Sequence, residues 1–576
     1  MMWQQARRRS IVIEGEKRTS VGITRGRLSV LSVFFVVAYL LMAFRLVDLA
    51  IVQGEMARMD KAQDNGRSQI ASIAPRRGDI FDRHGFLVAT TLKIPSLYVD
   101  PSLVLDADDL YVRLNGILPD LSHKKVLATL HASNRFGWVK RGITPEQQQK
   151  ILELGEPSLG FQYEYKRVYP QKALFAHIVG YTDRDGLGLS GVERGYDDVL
   201  SKGQDVHLSV DLRLQHVVKR EVSKAMADFT AKAGSGIILD VHTGEVLAGV
   251  SLPDFDLNMA KNAKDREKFN RLTLGVYELG SMFKIFSTAA YLEMGKGGVA
   301  QKFDARKPLK TGRFRISDYH AQKRIMTLPE VFIHSSNIGS ALMGQDIGGK
   351  ALKHFYSDLG LLTSMDLELK EVGRPLVPNP WRASTTLTAS YGHGLSTTPL
   401  QMTAAVASIV NGGTLSAPTL IRKTSNTAVR SEVRVISEKT SEIMRRLLRL
   451  TVTKGTGKNA DVDGYMIGGK TGTAEKSVGG RYHRDKLISS FVGAFPMNDP
   501  RYVLMVMVDE PKGNKKSYGY ATAGWVAAPA IKRIVGSMAS ILGLPADRYE
   551  QGEDIGDALM SYIHEKKKGG KKLVSY

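Results

Sequence analysis

Three short stretches carry side chains suited to working together on an acyl group. Ser281-Met282-Phe283-Lys284 opens an apolar run, MFKIFSTAAYLEM, with a glycine just before it. A serine at a helix start and a lysine three residues on share one face, about a turn apart. An amine beside a hydroxyl acts as its base when the amine is neutral. Free lysine titrates near 10.4, so neutrality around pH 7 needs a drop of about three units, roughly 4 kcal/mol. Burial and a second cation supply such a drop, and Met282, Phe283, Ile285 and Phe286 offer the burial. Ser335-Ser336-Asn337 follows 54 residues later, in a helix-to-loop region. A hydroxyl and an amide there can relay a proton and hold a substrate amide. Lys470-Thr471-Gly472-Thr473-Ala474 comes 135 residues after Ser335, inside an expected strand over 465–475. Small residues let a substrate backbone lie against such a strand. Lys470 and the threonine hydroxyls can grip a carboxylate.

Each stretch alone has a bland reading. Ser281 alone reads as an N-cap, and a lone S-x-N as another helix cap. Ser122-His123-Lys124-Lys125 repeats the first pattern and reads as a polar turn or helix start. Lys310-Thr311-Gly312 repeats the third, but it precedes the S-x-N and runs into Arg313, so it reads as a polar loop. The order is what carries weight: S-x-x-K, then S-x-N, then K-T-G is the signature shared by penicillin-binding proteins and class A β-lactamases.

The elements that must position these groups are legible in outline. Residues 234–240 read as a strand, 241–244 as a turn and 245–250 as a returning strand, a hairpin. Residues 487–495 and 502–508 form a second strand pair around Asn498-Asp499-Pro500, and 525–542 reads as a closing helix. Long helical stretches such as 281–294 and 398–410 lie between. Strands at both ends with helices between predict an α+β domain, an antiparallel sheet covered by helices. Upstream, residues 75–85 and 177–196 are glycine-rich clusters. They read as turns braced by Arg and Asp side chains, since no nucleophile–base pair is visible there.

The N-terminus sets the compartment. Residues 28–44, LSVLSVFFVVAYLLMAF, hold no charge, and the apolar stretch continues past Arg45 if that side chain snorkels. Arg7, Arg8, Arg9, Lys17, Arg18, Arg25 and Arg27 precede it, against Glu14 and Glu16. Positive charge stays inside, so the expectation is a single-pass anchor with a cytoplasmic N-terminus. A cleaved signal peptide would have a shorter apolar region and a small-x-small site. The expected layout is a cytoplasmic tail at 1–27, an anchor at 28–49, a pedestal at 50–230, a catalytic domain at 231–545 and a basic tail at 546–576. Within that tail, Glu565 to Tyr576 carries five lysines and reads as a solvated, mobile end.

Composition narrows the classes. The 576 residues are 43% hydrophobic, enough for a sizeable core. No cysteine is present, which excludes disulfides, cysteine-ligated metal and a Cys nucleophile. A formal charge of +22 suggests anionic neighbours. No zinc finger, RNP-like motif or basic-region heptad array accompanies it, so nucleic acid is not an expected partner.

The chain resembles the class B penicillin-binding proteins, and within them the cell-division transpeptidases, from about residue 70 to 540 plus the anchor. The resemblance rests on residues 277–284 (YELGSMFK), Ser335-Ser336-Asn337 and Lys470-Thr471-Gly472-Thr473-Ala474. Residues 239–240, 243–248 and 394–401 (GLSTTPLQ) support it, as do 77–83 and the 177–196 cluster of the family's non-catalytic, dimerisation-type pedestal. Two positions depart from the pattern: Leu279 stands where the family often has proline, and His393 falls in a glycine stretch near the active-site edge with no role assigned.

The resemblance implies that Lys284 takes the proton as Ser281 attacks the carbonyl between the last two D-alanines of a stem peptide. It implies an oxyanion hole of the backbone N–H groups of Ser281 and Thr473. Ser335 would pass a proton to the leaving D-alanine, Asn337 would hold substrate, and Lys470, Thr471, Gly472 and Thr473 would bind the terminal carboxylate or tune the proton network. A second stem peptide's amine would then form the cross-link, and β-lactams would acylate Ser281. No metal or other cofactor is implied. Location in the cytoplasmic (inner) membrane, a polymerase partner of the FtsW type and a complex with other division proteins follow from the same resemblance. A D,D-carboxypeptidase or β-lactamase shares the motifs, but the anchor and the long pedestal argue against either. A β-lactam sensor usually has several spans and a cytoplasmic signalling part. An elongation-type transpeptidase is the main rival within the family. A bifunctional class A enzyme would need a glycosyltransferase glutamate motif before residue 230, and none is apparent.

Overall fold

The computed structural model describes residues 35–43, 76–312, 314–423, 433–479, 481–546 and 554–564. The chain divides into two units, Met1–Ala74 and Pro75–Tyr576. In the first, residues 35–43 are helical, and Phe35, Val36, Val37, Tyr39, Leu40, Leu41 and Met42 are all exposed. The remainder of the expected anchor, the cytoplasmic tail at 1–27 and the lysine-rich end from Glu565 lie outside the described residues.

The second unit is organised around one antiparallel sheet. Its strands are β1 (Ala233–Asp240), β2 (Val246–Leu252), β3 (Gly468–Val478), β4 (Arg481–Phe495) and β5 (Tyr502–Asp509). The spatial order is β3-β4-β5-β1-β2, every pairing antiparallel. Helices cover both faces, so a central strand is apolar at nearly every position rather than at alternate ones. From Tyr502 to Val508, no side chain is more than 4% exposed. Glycine in β1 lets a helix approach: a Cβ on Gly236 would meet Val218 at 2.5 Å.

One face carries the helices Leu212–Asp228 and Ala528–Leu542 around a core of Val218, Val222, Ile531, Ile534 and Val506. The first of these helices falls within the expected pedestal span of 50–230, yet it packs on the catalytic sheet. Its Leu214, Val217, Val218, Val222 and Ala225 make a buried stripe at helical spacing that the sheet covers. Ala523–Leu542 is the one stretch among the described residues long and apolar enough to cross a membrane. Its Ala528, Ile531, Val535 and Met538 are wholly buried, as befits a core helix.

The other face carries α1 (Phe283–Glu293), α2 (Leu328–Ile333), α3 (Asn337–Ile347), α4 (Pro399–Val410) and α5 (Glu438–Thr453). Thr398 and Gln401 close a capping box over α4, with Pro399 at its first position. The segment 554–564, inside the expected basic tail, is folded: a 3-10 helix, Ile555–Tyr562, lies on α5 with Leu559 buried. Arg449 of α5 bonds Asp554 and Asp461, both at 2.7 Å. The apolar Ile555, Leu559, Met560 and Ile563 give this segment a face to bury.

Below the sheet domain, a long strand, Leu87–Val99, pairs with Leu159–Val168 and Gly137–Lys140 over a separate small core that includes Leu97, Leu114 and Leu130. The glycine-rich clusters brace it. Arg77 donates to the Glu193 carboxylate at 2.8 Å and to Asp197 at 2.7 Å. Gly180 lies where a Cβ would meet the Ser190 carbonyl oxygen at 2.0 Å.

The two decoy motifs stay apart from this chemistry. Ser122 sits at the N-cap position of a short helix, His123–Leu130, without a side-chain cap bond. Lys310-Thr311 belongs to a small strand, Leu309–Thr311, paired with Phe314–Ile316, where a loop was expected. The pairing is local and the strands have three residues each, too short for a periodicity to register.

Candidate active site

Ser281 lies in a single 3-10 turn, Gly280–Met282, that feeds α1. The N-cap positions of that turn and of α1 fall on Leu279 and Met282, so Ser281 is not the N-cap that its position suggests. Gly280 has a φ of +54, a left-handed conformation that glycine adopts without a Cβ penalty. The turn rests on β3. A Cβ on Gly472 would meet the Leu279 carbonyl oxygen at 2.4 Å, and one on Gly280 would meet the Thr473 carbonyl oxygen at 3.1 Å. Two glycines therefore permit the serine turn and the K-T-G strand to touch backbone to backbone. β3 is an edge strand of its sheet, so its outer side can receive an extended peptide.

Lys284 is the second residue of α1 and 0% exposed. Its Nζ donates to the Ser335 carbonyl oxygen at 2.5 Å, to Ser335 Oγ at 3.0 Å and to Asn337 Oδ1 at 2.7 Å. Lys470, also 0% exposed, donates from Nζ to the same Ser335 Oγ at 2.9 Å. One hydroxyl thus bridges two amines that are 186 residues apart in sequence. Burial holds the Lys284 amine well below its ordinary value; the neighbouring Lys470 charge lowers it further, and Asp318 opposes both. Burial brings Lys470 down to about 7. Both effects favour the neutral amine, as the apolar flank of Ser281 suggested.

Ser335 occupies the joint between α2 and α3 with a φ of +56. A left-handed serine is strained, and the joint is bonded on both sides. The Ser336 amide donates to the Val331 carbonyl at 2.9 Å, and Ser336 Oγ donates to Asp318 at 2.7 Å. The Ile338 amide donates to the other oxygen of Asp318 at 3.0 Å, and Asn337 Nδ2 donates to the Ser317 carbonyl at 3.0 Å. Asp318 therefore anchors the S-x-N turn. No sequence signal marked it, because it sits 18 residues before Ser336 in an irregular loop.

Other expected groups are placed differently. The pleat puts Lys470 and Gly472 on the side of the serine turn and Thr471 and Thr473 on the other. Thr471 is buried and shares a 2.7 Å hydrogen bond with Thr456. Thr473 is partly exposed, and its Oγ1 accepts from the Ala523 amide at 3.1 Å, which leaves its O–H as a donor. Among the described residues, Ser281 Oγ has no hydrogen-bond partner. Lys284, on the same face one turn on, directs its N–H groups to Ser335 and Asn337. Catalytic hydrogen bonds are commonly long before substrate binds. Among the described residues, no cluster of His, Asp or Glu could hold a metal ion.

Comparison with known proteins adds a decisive observation. Residues 234–535 match the family described as "Penicillin binding protein transpeptidase domain". The chain belongs to the penicillin-binding proteins. Residues 72–225 match the penicillin-binding protein dimerisation domain, the pedestal of the same proteins. Among curated relatives, the probable peptidoglycan D,D-transpeptidase FtsI of Caulobacter vibrioides is 39% identical over 516 residues, 87% of each chain. FtsI of Escherichia coli K12 is 28% identical over 550 residues, covering 88% of this chain and 89% of the relative. Among solved structures, penicillin-binding protein 3 of Mycobacterium tuberculosis complexed with aztreonam is 26% identical. It superposes with a TM-score of 0.66, covering 82% of this chain and 97% of that one.

Proposed function

We propose that this penicillin-binding protein is the peptidoglycan D,D-transpeptidase of cell division and works through an acyl-enzyme on Ser281. The observation that carries the mechanism is the Lys284–Ser335–Lys470 bridge: two wholly buried amines on one hydroxyl, against an edge strand. The division assignment rests on the FtsI and penicillin-binding protein 3 likenesses.

A donor stem peptide lies along the outer edge of β3, adding a strand. Its terminal carboxylate meets the Thr473 hydroxyl, which is free to donate. Ser281 Oγ attacks the carbonyl between the two D-alanines, and neutral Lys284 takes its proton. The developing oxyanion sits between the backbone N–H groups of Ser281 and Thr473. The proton moves through Ser335 to the departing D-alanine, with Lys470 stabilising the hydroxyl as it passes. Asn337, fixed by Ser317 and Lys284, presents its amide to the peptide. A second stem peptide's amine then attacks the ester. β-Lactams are read as acylating the same serine, in keeping with the aztreonam and ampicillin complexes of the mycobacterial protein.

The exposed apolar helix at 35–43 and the basic residues before it support a single-pass anchor in the cytoplasmic membrane, with the catalytic unit outside. A glycan polymerase of the FtsW type is the partner proposed on the family likeness. The test is product analysis with purified protein, a pentapeptide donor and an amine acceptor. Cross-linked dimer with release of D-alanine is expected. Rapid penicillin turnover without dimer would assign a hydrolase instead.

A further inference from the structure

His393, singled out by the sequence and left without a role, has defined partners. Its Nδ1 lies 3.5 Å from Glu278 Oε2, and the Tyr482 hydroxyl donates to Glu278 Oε1 at 2.8 Å. The His393 and Tyr482 rings lie 4.6 Å apart, tilted by 31°. These three residues come from three elements: the approach to the nucleophile, the loop at 391–394 and the start of β4.

All three are held at the serine turn. Glu278 is three residues before Ser281, and its neighbour Tyr277 exchanges backbone hydrogen bonds with Thr397 at 2.9 and 3.1 Å. Gly392 packs on the turn itself: a Cβ there would meet the Gly280 carbonyl oxygen at 2.0 Å. The His393 side chain is nonetheless 46% exposed, and among the described residues its Nε2 accepts no hydrogen bond. Burial, reinforced by the Glu278 charge, raises neighbouring Tyr391 to about 12.

The chemistry of the second half-reaction asks for such a group. The acceptor arrives as an ammonium and must lose a proton, while the two lysines of the acylation machinery are already committed to Ser335 and Asn337. Asp318, the carboxylate on the S-x-N side, is already engaged by Ser336 and Ile338. A carboxylate that orients an imidazole, with the far ring nitrogen open, is the arrangement that attracts an ammonium and removes its proton.

We propose that Glu278 and His393, flanked by the Tyr482 ring, form the site that receives and deprotonates the acceptor amine. This rests on Ser281 being the acylated residue. Neutral His393 takes one proton from the ammonium at Nε2 and releases it to solvent. The freed lone pair forms the C–N bond at the ester carbonyl, and the bond from that carbon to Ser281 Oγ breaks. The second N–H proton passes through the Lys284–Ser335 relay to Ser281 Oγ. The balance is one amide formed and one serine restored.

The test separates aminolysis from hydrolysis of the same acyl-enzyme. Purified protein is given a benzoyl-D-alanyl thioester as donor and D-alanine as acceptor amine, and both products are quantified by chromatography. His393→Gln is expected to lower the aminolysis-to-hydrolysis ratio by about tenfold or more, and Glu278→Gln to lower it in the same direction. Tyr482→Phe, which keeps the ring and removes the bond to Glu278, is expected to lower it less than His393→Gln. Ratios within twofold of the parent in both His393→Gln and Glu278→Gln, with Ser281 still labelled by fluorescent penicillin, would overturn the proposal. Failure of the parent protein to label at Ser281 would instead sink the acyl-enzyme reading, and the proposal with it.

Discussion

Replacing Ser335 with alanine removes the oxygen on which both buried amines converge. Alanine tolerates a φ of +56 about as poorly as serine, so the backbone strain is unchanged and the hydroxyl is the variable. Lys284 retains the Ser335 carbonyl at 2.5 Å and Asn337 at 2.7 Å, whereas Lys470 keeps only the Thr471 carbonyl at 3.4 Å. A buried donor left without a good partner costs roughly 1–3 kcal/mol. The variant should therefore lose about 2 kcal/mol of stability where Lys470 is charged, below pH 7, and less where it is neutral. The catalytic loss should be larger. A positioned proton relay contributes about 10²–10⁴ in rate, or roughly 3–5 kcal/mol of barrier. The assay is the second-order rate of acylation by a fluorescent penicillin, followed in time, beside denaturant unfolding at pH 6 and pH 9. An acylation rate within threefold of the parent would refute the relay, whatever the unfolding curves show.

Three further perturbations probe neighbouring parts of the account. Lys470→Met tests the linkage: the folded amine titrates at about 7 and the unfolded one near 10.5, so the unfolded chain binds the extra proton between those values. Stability from this group thus rises with pH across that window by about 5 kcal/mol. The methionine variant should be the more stable protein at pH 6, with the gap closing by pH 10, and should fail to acylate; lower stability at pH 6 in chemical denaturation would contradict this. Gly472→Val drives a side chain into the Leu279 carbonyl and should reduce acylation at least tenfold by moving the serine turn off β3, as read by the same penicillin assay. Truncation after residue 553 removes the Arg449–Asp554 bond and uncovers the surface under Leu559, costing about 3 kcal/mol relative to truncation after 564; equal melting temperatures for the two would argue against the folded segment.

Much of this fold is written in local pattern. The hairpin at 234–250, the strand pair near the other end and helices such as Pro399–Val410 carry continuous apolar runs, capping boxes or turn residues that announce themselves. Helix Leu212–Asp228 fell inside the expected pedestal span of 50–230 and was not read as part of the catalytic unit. Its stripe says that it buries a face, not which sheet it meets. The expected basic tail at 546–576 hid a folded segment, 554–564, for a related reason. Charge dominates the composition, and the few apolar residues at 555–563 matter only once α5 is beside them.

At the site, the residue types were readable and their pairing was not. The i,i+3 spacing joined Lys284 to Ser281, because sequence distance registers only local neighbours. The structure joins Lys284 to Ser335, 51 residues away, and brings Lys470 to the same oxygen. Asp318 and Thr456 had no motif to betray them, and the threonines of K-T-G differed only once the pleat assigned their sides. His393 was visible as an oddity; Glu278 and Tyr482 gave it a meaning through contacts between distant segments.

The most direct measurement is to trap the protein with labelled penicillin, digest it with trypsin and map the adduct by mass spectrometry. The label should fall on the peptide spanning residues 272–284, fragment to Ser281 and vanish in Ser281→Ala. A stable adduct on any other residue, or undiminished labelling of the alanine variant, would contradict the account.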